Sequence, residues 1–291
     1  MARRLICDTN VFYDHAEKKI DVRTLLQPGD TLWIAPLTAF ELCALLDAGR
    51  FAKRQAAARA VVELSPRWLP NTDQLVCRLV GTSEPSDLMH YRDAVTALAT
   101  AADFNQAITG VPDHGAQVVR TINPLAAKVW LDALKNRWMG DHDSALEKHI
   151  PGYDKYLAIP KASRPAVPKI APADKAKLAA LLSSPEWHKA VLGALVLKAW
   201  LVQSMAGTTM LDPATHTPPP SAPAAFHVFA AVFGRYQYEQ RASGMRPQPN
   251  DSQDVEYLLY VNGPDDVFVT REERWLRLAD DAGVGSSFLK P

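Results

Sequence analysis

Leu5-Ile6-Cys7-Asp8-Thr9-Asn10-Val11 opens on three apolar residues and breaks at once into a carboxylate, a hydroxyl and an amide. A short apolar run ending in residues that favour turns and caps reads as a buried strand followed by the start of a helix. Thr31-Leu32-Trp33-Ile34 repeats the pattern, ends at Ala35-Pro36 and leads into a helical stretch from Thr38 to about Ala48. Strand, helix, strand, helix is the opening of an α/β sheet. The C-terminal segment returns to this style. It predicts a helix from about Ser252 to Val261, a turn at Asn262-Gly263-Pro264, a strand at Val267-Phe268-Val269 and a helix from Arg271 to Asp281.

Between these ends the pattern is helical. Phe51 to Leu64 is alanine-rich, and Ser86 to Ile150 stays helical with breaks at Gly110-Val111-Pro112 and Asn123-Pro124. Prolines at 151, 160, 165, 168 and 172 mark an extended loop near 151–172, because proline cannot continue a helix. Helices are expected from about Ala173 to Leu182 and from Pro185 to Met205, then a second proline-rich loop near 207–223 and a helix from Ala224 to Ala242. The expected organisation is one discontinuous α/β domain, 1–65 and 245–291, separated by a large, mostly helical insertion, 66–244.

Composition bounds the function. With 291 residues, 47% hydrophobic and 22% charged, the chain is a globular protein and not a disordered or fibrous one. Lys and Arg balance Asp and Glu at 32 each, so no global basic field draws the protein onto nucleic acid or an anionic membrane. Locally the balance breaks: Lys148 to Lys177 holds seven basic residues against two acids, and 250–281 holds three against nine. Three cysteines, at 7, 43 and 77, exclude a disulfide framework and paired C-x-x-C zinc ligands, and fit a reducing cytoplasm. Met1-Ala2-Arg3-Arg4 and the three apolar residues after it are too short for a signal peptide, and the run Ala190 to Leu197 is too short for a membrane span.

Four acids share a context: Asp8 after a strand, Glu41 in the first turn of a helix that follows a strand, Asp254 near a helix start, and Glu272 after Val267-Phe268-Val269. In a parallel α/β sheet such positions lie at the carboxyl ends of strands, where these folds bind ligands. Carboxylates converging there repel one another unless a cation neutralises them, and acids without His or Cys select Mg²⁺ or Mn²⁺ over zinc. Each acid also has a local reading. Thr38-Ala39-Phe40-Glu41 matches a capping box, Thr270-Arg271-Glu272-Glu273 offers the same to Glu273, Asp251-Ser252-Gln253-Asp254 matches a helix cap, and Asp8 would cap the helix that begins near Thr9.

Taken together, Ile6-Cys7-Asp8-Thr9-Asn10-Val11, Thr38-Ala39-Phe40-Glu41, Asn250-Asp251-Ser252-Gln253-Asp254 and Val267-Phe268-Val269-Thr270-Arg271-Glu272 resemble the ordered motifs of the PIN-domain family of metal-dependent nucleases. The tail Gly283-Val284-Gly285-Ser286-Ser287-Phe288-Leu289 is similar to that family's last strand and ending. The resemblance covers roughly 1–65 and 245–291. It implies a PIN-like three-layer α/β domain with a parallel sheet, and a divalent-metal-dependent endoribonuclease using Mg²⁺ or Mn²⁺. Asp8, Glu41 and Asp254 would hold the metal, with Glu272 as the fourth acid, Asn10 and Thr270 orienting the cluster and Asp251 supporting it. The family usually carries Asp at the fourth position. Glu272 is one methylene longer and reaches differently, which underlies the competing expectation of a catalytically impaired PIN-like protein acting as an RNA- or protein-binding module. Glu41 and Asp254 also stand 213 residues apart, far more than in compact members of the family.

The remaining signals are weaker. No G-x-x-x-x-G-K, G-x-G-x-x-G, G-x-S-x-G or H-E-x-x-H is present. His142 and His149 read as solvated helix residues, and Asn10 stands where dehalogenase-fold phosphatases need a second Asp. Within the basic proline loop, Lys155, Lys161, Arg164 and Lys169 are the candidate contacts to an RNA backbone, against the plainer reading of a solvated linker. The expected partners are RNA, an antitoxin or other partner protein, and a second copy of the chain as a homodimer, with no membrane. Toxin, defence and RNA-processing roles all fit.

Overall fold

The structure is a computed structural model and describes residues 2–43, 46–84, 91–109, 172–206, 211–243 and 251–291. The expected contacts Lys155, Lys161, Arg164 and Lys169 lie outside the described residues, as do His142 and His149.

Five strands form one sheet: β1 (Arg4–Cys7), β2 (Thr31–Ile34), β3 (Arg67–Trp68), β4 (Asp266–Val269) and β5 (Phe288–Leu289). Every pairing is parallel and the order is β3-β2-β1-β4-β5. The chain steps outward from β1 through β2 to β3 and returns on the other side of β1, so the order reverses between β1 and β4. Arg4 lies opposite Asp266 and Cys7 opposite Val269. At the amino ends of the strands, Arg4 grips Asp266 through two hydrogen bonds of 2.6 Å, and Arg3 pairs with Asp30 beside β2. These pairs tie the central strand to its neighbours at the end away from Asp8.

Alternation along the strands builds two cores, because successive side chains point to opposite faces. Leu5, Cys7, Leu32, Ile34 and Val269 face one side with Val11, Phe12, Leu42, Ala57, Val61, Val95 and Leu98. That layer comprises α1 (Thr9–Ala16), α2 (Pro36–Cys43), α3 (Ala48–Leu64) and α5 (Tyr91–Thr100). Ile6, Phe268 and Phe288 face the other side, against Val76, Val80, Leu195, Phe229, Tyr236, Tyr257 and Trp275. Those residues come from α4 (Thr72–Leu79) and Val80 at its C-cap, α8 (Pro185–Ala206), α10 (His227–Ser243), α11 (Asp251–Tyr257) and α12 (Glu273–Asp281). The result is a three-layer α/β arrangement, which explains why short strands with no polar face are stable here: parallel sheets of this kind are covered on both sides.

The shorter elements are α6 (Phe104–Thr109), α7 (Pro172–Leu182) and α9 (Ala222–Ala225). Among the described residues of 66–244, β3 is the only strand and the other regular elements are helices. The helices α4, α8 and α10 share a single apolar cluster with the sheet, so packing runs continuously across positions 65 and 245. Among the described residues no helix is long and apolar enough to cross a membrane.

Candidate functional site

The register that sets Cys7 against Val269 makes Asp8 and Thr270 the first residues past the carboxyl ends of β1 and β4, at the point where strand order reverses. Open parallel sheets bind ligands in the crevice at such a point. The Asp8 amide donates to the Val269 carbonyl at 3.0 Å, which carries the pairing one residue beyond the strand and brings the two side chains together. The Thr270 hydroxyl donates to Asp8 Oδ2 at 3.0 Å and accepts from the Glu272 amide at 3.1 Å. Asn10 Nδ2 reaches Asp8 Oδ2 at 3.4 Å and Glu272 Oε1 at 3.3 Å. Asn10 and Thr270 therefore each connect Asp8 to Glu272.

Local capping does not account for these acids. Asp8 occupies the N-cap of α1, yet its carboxylate makes no cap hydrogen bond and turns instead to Thr270 and Asn10, with the Thr9 and Asn10 amides favouring its charge. The capping box expected at Thr38 and Glu41 is absent because α2 begins at Pro36, where proline suits a first helical turn. Thr38 is then inside the helix, and its hydroxyl bonds the Tyr257 hydroxyl at 3.0 Å. Glu272 is the N-cap of α12 and also makes no side-chain cap, while Glu273 pairs with Lys290 at the surface.

The electrostatics link all four acids. Asp8 is 7% exposed. Burial raises its carboxyl to about 6; the Thr270 hydrogen bond lowers it and the charge on Glu272 raises it. Half-buried Glu41 is pushed up to about 8 by desolvation first and then by Asp8, with Asp254 adding to the rise; the Thr9 hydroxyl and Arg54 offset part of it. Repulsion thus runs from Glu272 through Asp8 and Glu41 to Asp254, which lies half-buried on α11. Asp251 is the first residue of α11. Among the described residues, no group of three or more His, Cys, Asp and Glu side chains stands close enough to hold a metal ion as placed.

Three residues of this neighbourhood carry no signal in the sequence that marks them for a site. Tyr257, on the same helix as Asp254, puts its hydroxyl between Thr9 Oγ1, at 2.9 Å, and Thr38 Oγ1. Burial, Glu41 and Asp8 hold the phenol well above its ordinary value, so it stays a neutral donor. Asp14 and Arg271 form a 2.7 Å ion pair that fastens the turn after β4 to α1. A cavity of about 570 Å³ lies elsewhere, lined by Pro185, His188, Leu192, Phe226, His227 and Ala230 among others, and none of the four acids borders it.

The two raised carboxyls fix how metal-free stability responds to pH. Both groups bind a proton more tightly when folded, so their stabilising contribution is complete below the ordinary carboxylate range and is lost as pH rises through about 6 for Asp8 and about 8 for Glu41. The melting temperature in chelator is expected to fall by several degrees between pH 5 and 8.5, since each tenfold gain in proton affinity on folding is worth about 1.4 kcal/mol. Scanning calorimetry across that range checks this, and a melting temperature that is flat or rises would remove the case for buried, repelling acids.

Comparison with protein-family models, with curated proteins and with solved structures gives no match to this chain.

Proposed function

We propose that this chain is a divalent-metal-dependent endoribonuclease whose α/β unit is PIN-like. The observation that carries the reading is the placement of Asp8 at the strand-order reversal, held by Thr270 and Asn10 and not used as a helix cap. The donor set fits a hard cation. It consists of carboxylate and hydroxyl oxygens without histidine or thiolate, and Asp8 and Glu41 are held above the usual carboxylate range by burial first and then by neighbouring acids, a cost that a bound cation relieves. Mg²⁺ or Mn²⁺, when bound, supplies activation of a water and neutralises charge at the scissile phosphate.

In this reading Asp8, Glu41 and Asp254 hold the cation and Glu272 completes the site or orients the attacking water. Asn10 and Thr270 keep the Asp8 carboxylate fixed, and the fastened Asp14–Arg271 turn keeps Thr270 and Glu272 in place. The charge of the acids repels phosphate, so RNA needs a basic contact elsewhere. The basic segment with Lys155, Lys161, Arg164 and Lys169 is the proposed source of it.

The test is thermal denaturation of the full chain with millimolar Mn²⁺ or Mg²⁺, followed by incubation with single-stranded RNA and DNA. A cation that binds only the folded state at a hundred times its dissociation constant adds about 2.7 kcal/mol, which for a chain this size is a rise on the order of 5 °C, reversed by chelator. No shift at millimolar metal would count heavily against the site. A shift without cleavage selects the binding-module alternative, and cleavage of DNA alone corrects the substrate.

A further inference from the structure

A groove of about 400 Å³ lies among α7, α10 and α12, with α10 packed against both of the others. Arg235, Tyr238 and Glu239 line it from α10; their spacing of three and four puts them on one face of that helix. Lys175 enters from α7, and Arg277 and Asp281 from α12. The acids of the groove are already paired. Glu239 holds Arg274 at 3.3 Å and Arg277 at 2.6 Å, and Asp281 lies 3.6 Å from Arg277. The Arg274 guanidinium also sits 4.9 Å from the centre of the Tyr236 ring, so these pairs serve to fasten α12 to α10.

Lys175, Arg235 and Tyr238 are left over. All three are half-buried, and none makes an ion pair, hydrogen bond or ring contact among the described residues. Two uncommitted cations on an open surface would need no explanation beyond solubility. Here they share a concave wall with an uncommitted aromatic ring, and single-stranded nucleic acid is held by that combination: cations track the phosphates while bases stack on aromatic faces. The position of the groove agrees. α12 starts at its cap Glu272, and Arg277 stands five residues on, about 7.5 Å along the helix axis. Lys175 belongs to the basic run Lys148 to Lys177. The groove therefore joins the helix that begins at the acidic site to the end of the basic run.

We infer that this groove holds a nucleotide of single-stranded RNA a few positions from the phosphodiester that is cut, with Lys175 and Arg235 on phosphate and Tyr238 stacked on the base; this rests on the ribonuclease reading given above. Arg277, neutralised by Glu239 and Asp281, shapes the wall and takes no phosphate.

The experiment is fluorescence anisotropy of a fluorescein-labelled single-stranded RNA oligonucleotide on the full chain, in chelator and at several salt concentrations. Wild type is compared with a Lys175→Gln, Arg235→Gln double variant, with Tyr238→Ala and with Tyr238→Phe. Gln keeps a long side chain and a good helix former, so the fold is retained. Each phosphate contact to a single strand contributes about 0.7 to the slope of log affinity against log salt, so the double variant should flatten that slope by about 1.4. Tyr238→Ala is expected to weaken binding about tenfold with the slope unchanged, whereas Tyr238→Phe, which keeps the ring, should stay near wild type. All of these variants should keep the rise in melting temperature that Mn²⁺ gives wild type. An unmoved slope in the double variant together with unmoved affinity in Tyr238→Ala, while wild type binds the oligonucleotide, overturns the inference and leaves the ribonuclease reading standing. If Tyr238→Ala does not fold, the double variant decides. Wild type that binds no RNA overturns the inference too, and Mn²⁺-dependent cleavage by the same preparation then shows whether the ribonuclease reading falls with it.

Discussion

Asp8→Asn is expected to abolish metal-dependent RNA cleavage, by at least about 100-fold, while leaving the metal-free protein as stable as wild type or more so. The amide matches the carboxylate in size, and its oxygen still accepts from Thr270. Only the charge is lost. That charge is disfavoured by burial and by Glu272, and it in turn raises the carboxyl of Glu41, so removing it at pH 8 relieves both sites. A rise on the order of 5 °C in chelator, by scanning fluorimetry, is the expected scale. Loss of folding would instead identify Asp8 as a structural cap, the role that its missing cap hydrogen bond argues against.

Glu41→Gln separates the two meanings of a single residue. A capping box tolerates Gln as well as Glu, so the substitution preserves the start of α2 under the capping view. In the structure α2 starts at Pro36 and makes no use of Glu41 there, which leaves the charge as the only thing the substitution changes. The variant should fold as wild type by circular dichroism, lose the upper part of the pH dependence of stability, and cut RNA at least about 100-fold more slowly in Mn²⁺. Cleavage at the wild-type rate would falsify the assignment of Glu41 and leave the site resting on Asp8 and Asp254.

Asp8 and Glu272 are legible in the sequence because each is announced by a neighbouring apolar run. Leu5-Ile6-Cys7 and Val267-Phe268-Val269 are short enough and apolar enough to be read as buried strands, and both are strands in the sheet. β3 is not legible: Arg67–Trp68 is two residues long and has no alternation to detect. α4 has local signals, since Asn71 caps it by accepting from the Gln74 amide and Asp73 lies in its first turn, but its eight residues give too little periodicity to stand out. The start of α2 differs from the expected one because S/T-x-x-E at Thr38 competes with the signal of the proline two residues earlier.

Tyr257 has no such signal. Tyr257-Leu258-Leu259-Tyr260-Val261 reads as core, and all five are buried. What distinguishes Tyr257 is its pair of hydroxyl partners, 248 and 219 residues away along the chain. Pairings of that kind are a property of the assembled sheet and leave no trace in local pattern. The same reason hides the shared core: nothing in the composition of Val191, Phe229 or Tyr236 says that they will pack with Ile6 and Phe268.

The side-by-side placement of β1 and β4 joins residues 262 positions apart, as Arg4 and Asp266 are. Contacts across so long a loop form late, because the entropy of closing it must be met before any pairing rewards it. During synthesis the amino terminus emerges first and earlier segments fold before later ones exist. Asp8 and Glu41 are therefore on hand long before Thr270 and Glu272, and until β4 arrives β1 has a bare flank and Asp8 has no hydroxyl to hold it. An unfinished chain cannot carry a finished acidic site. Under the proposed function, cleavage begins only when translation has passed the second half of the site, so the nascent protein spares the message it is being read from.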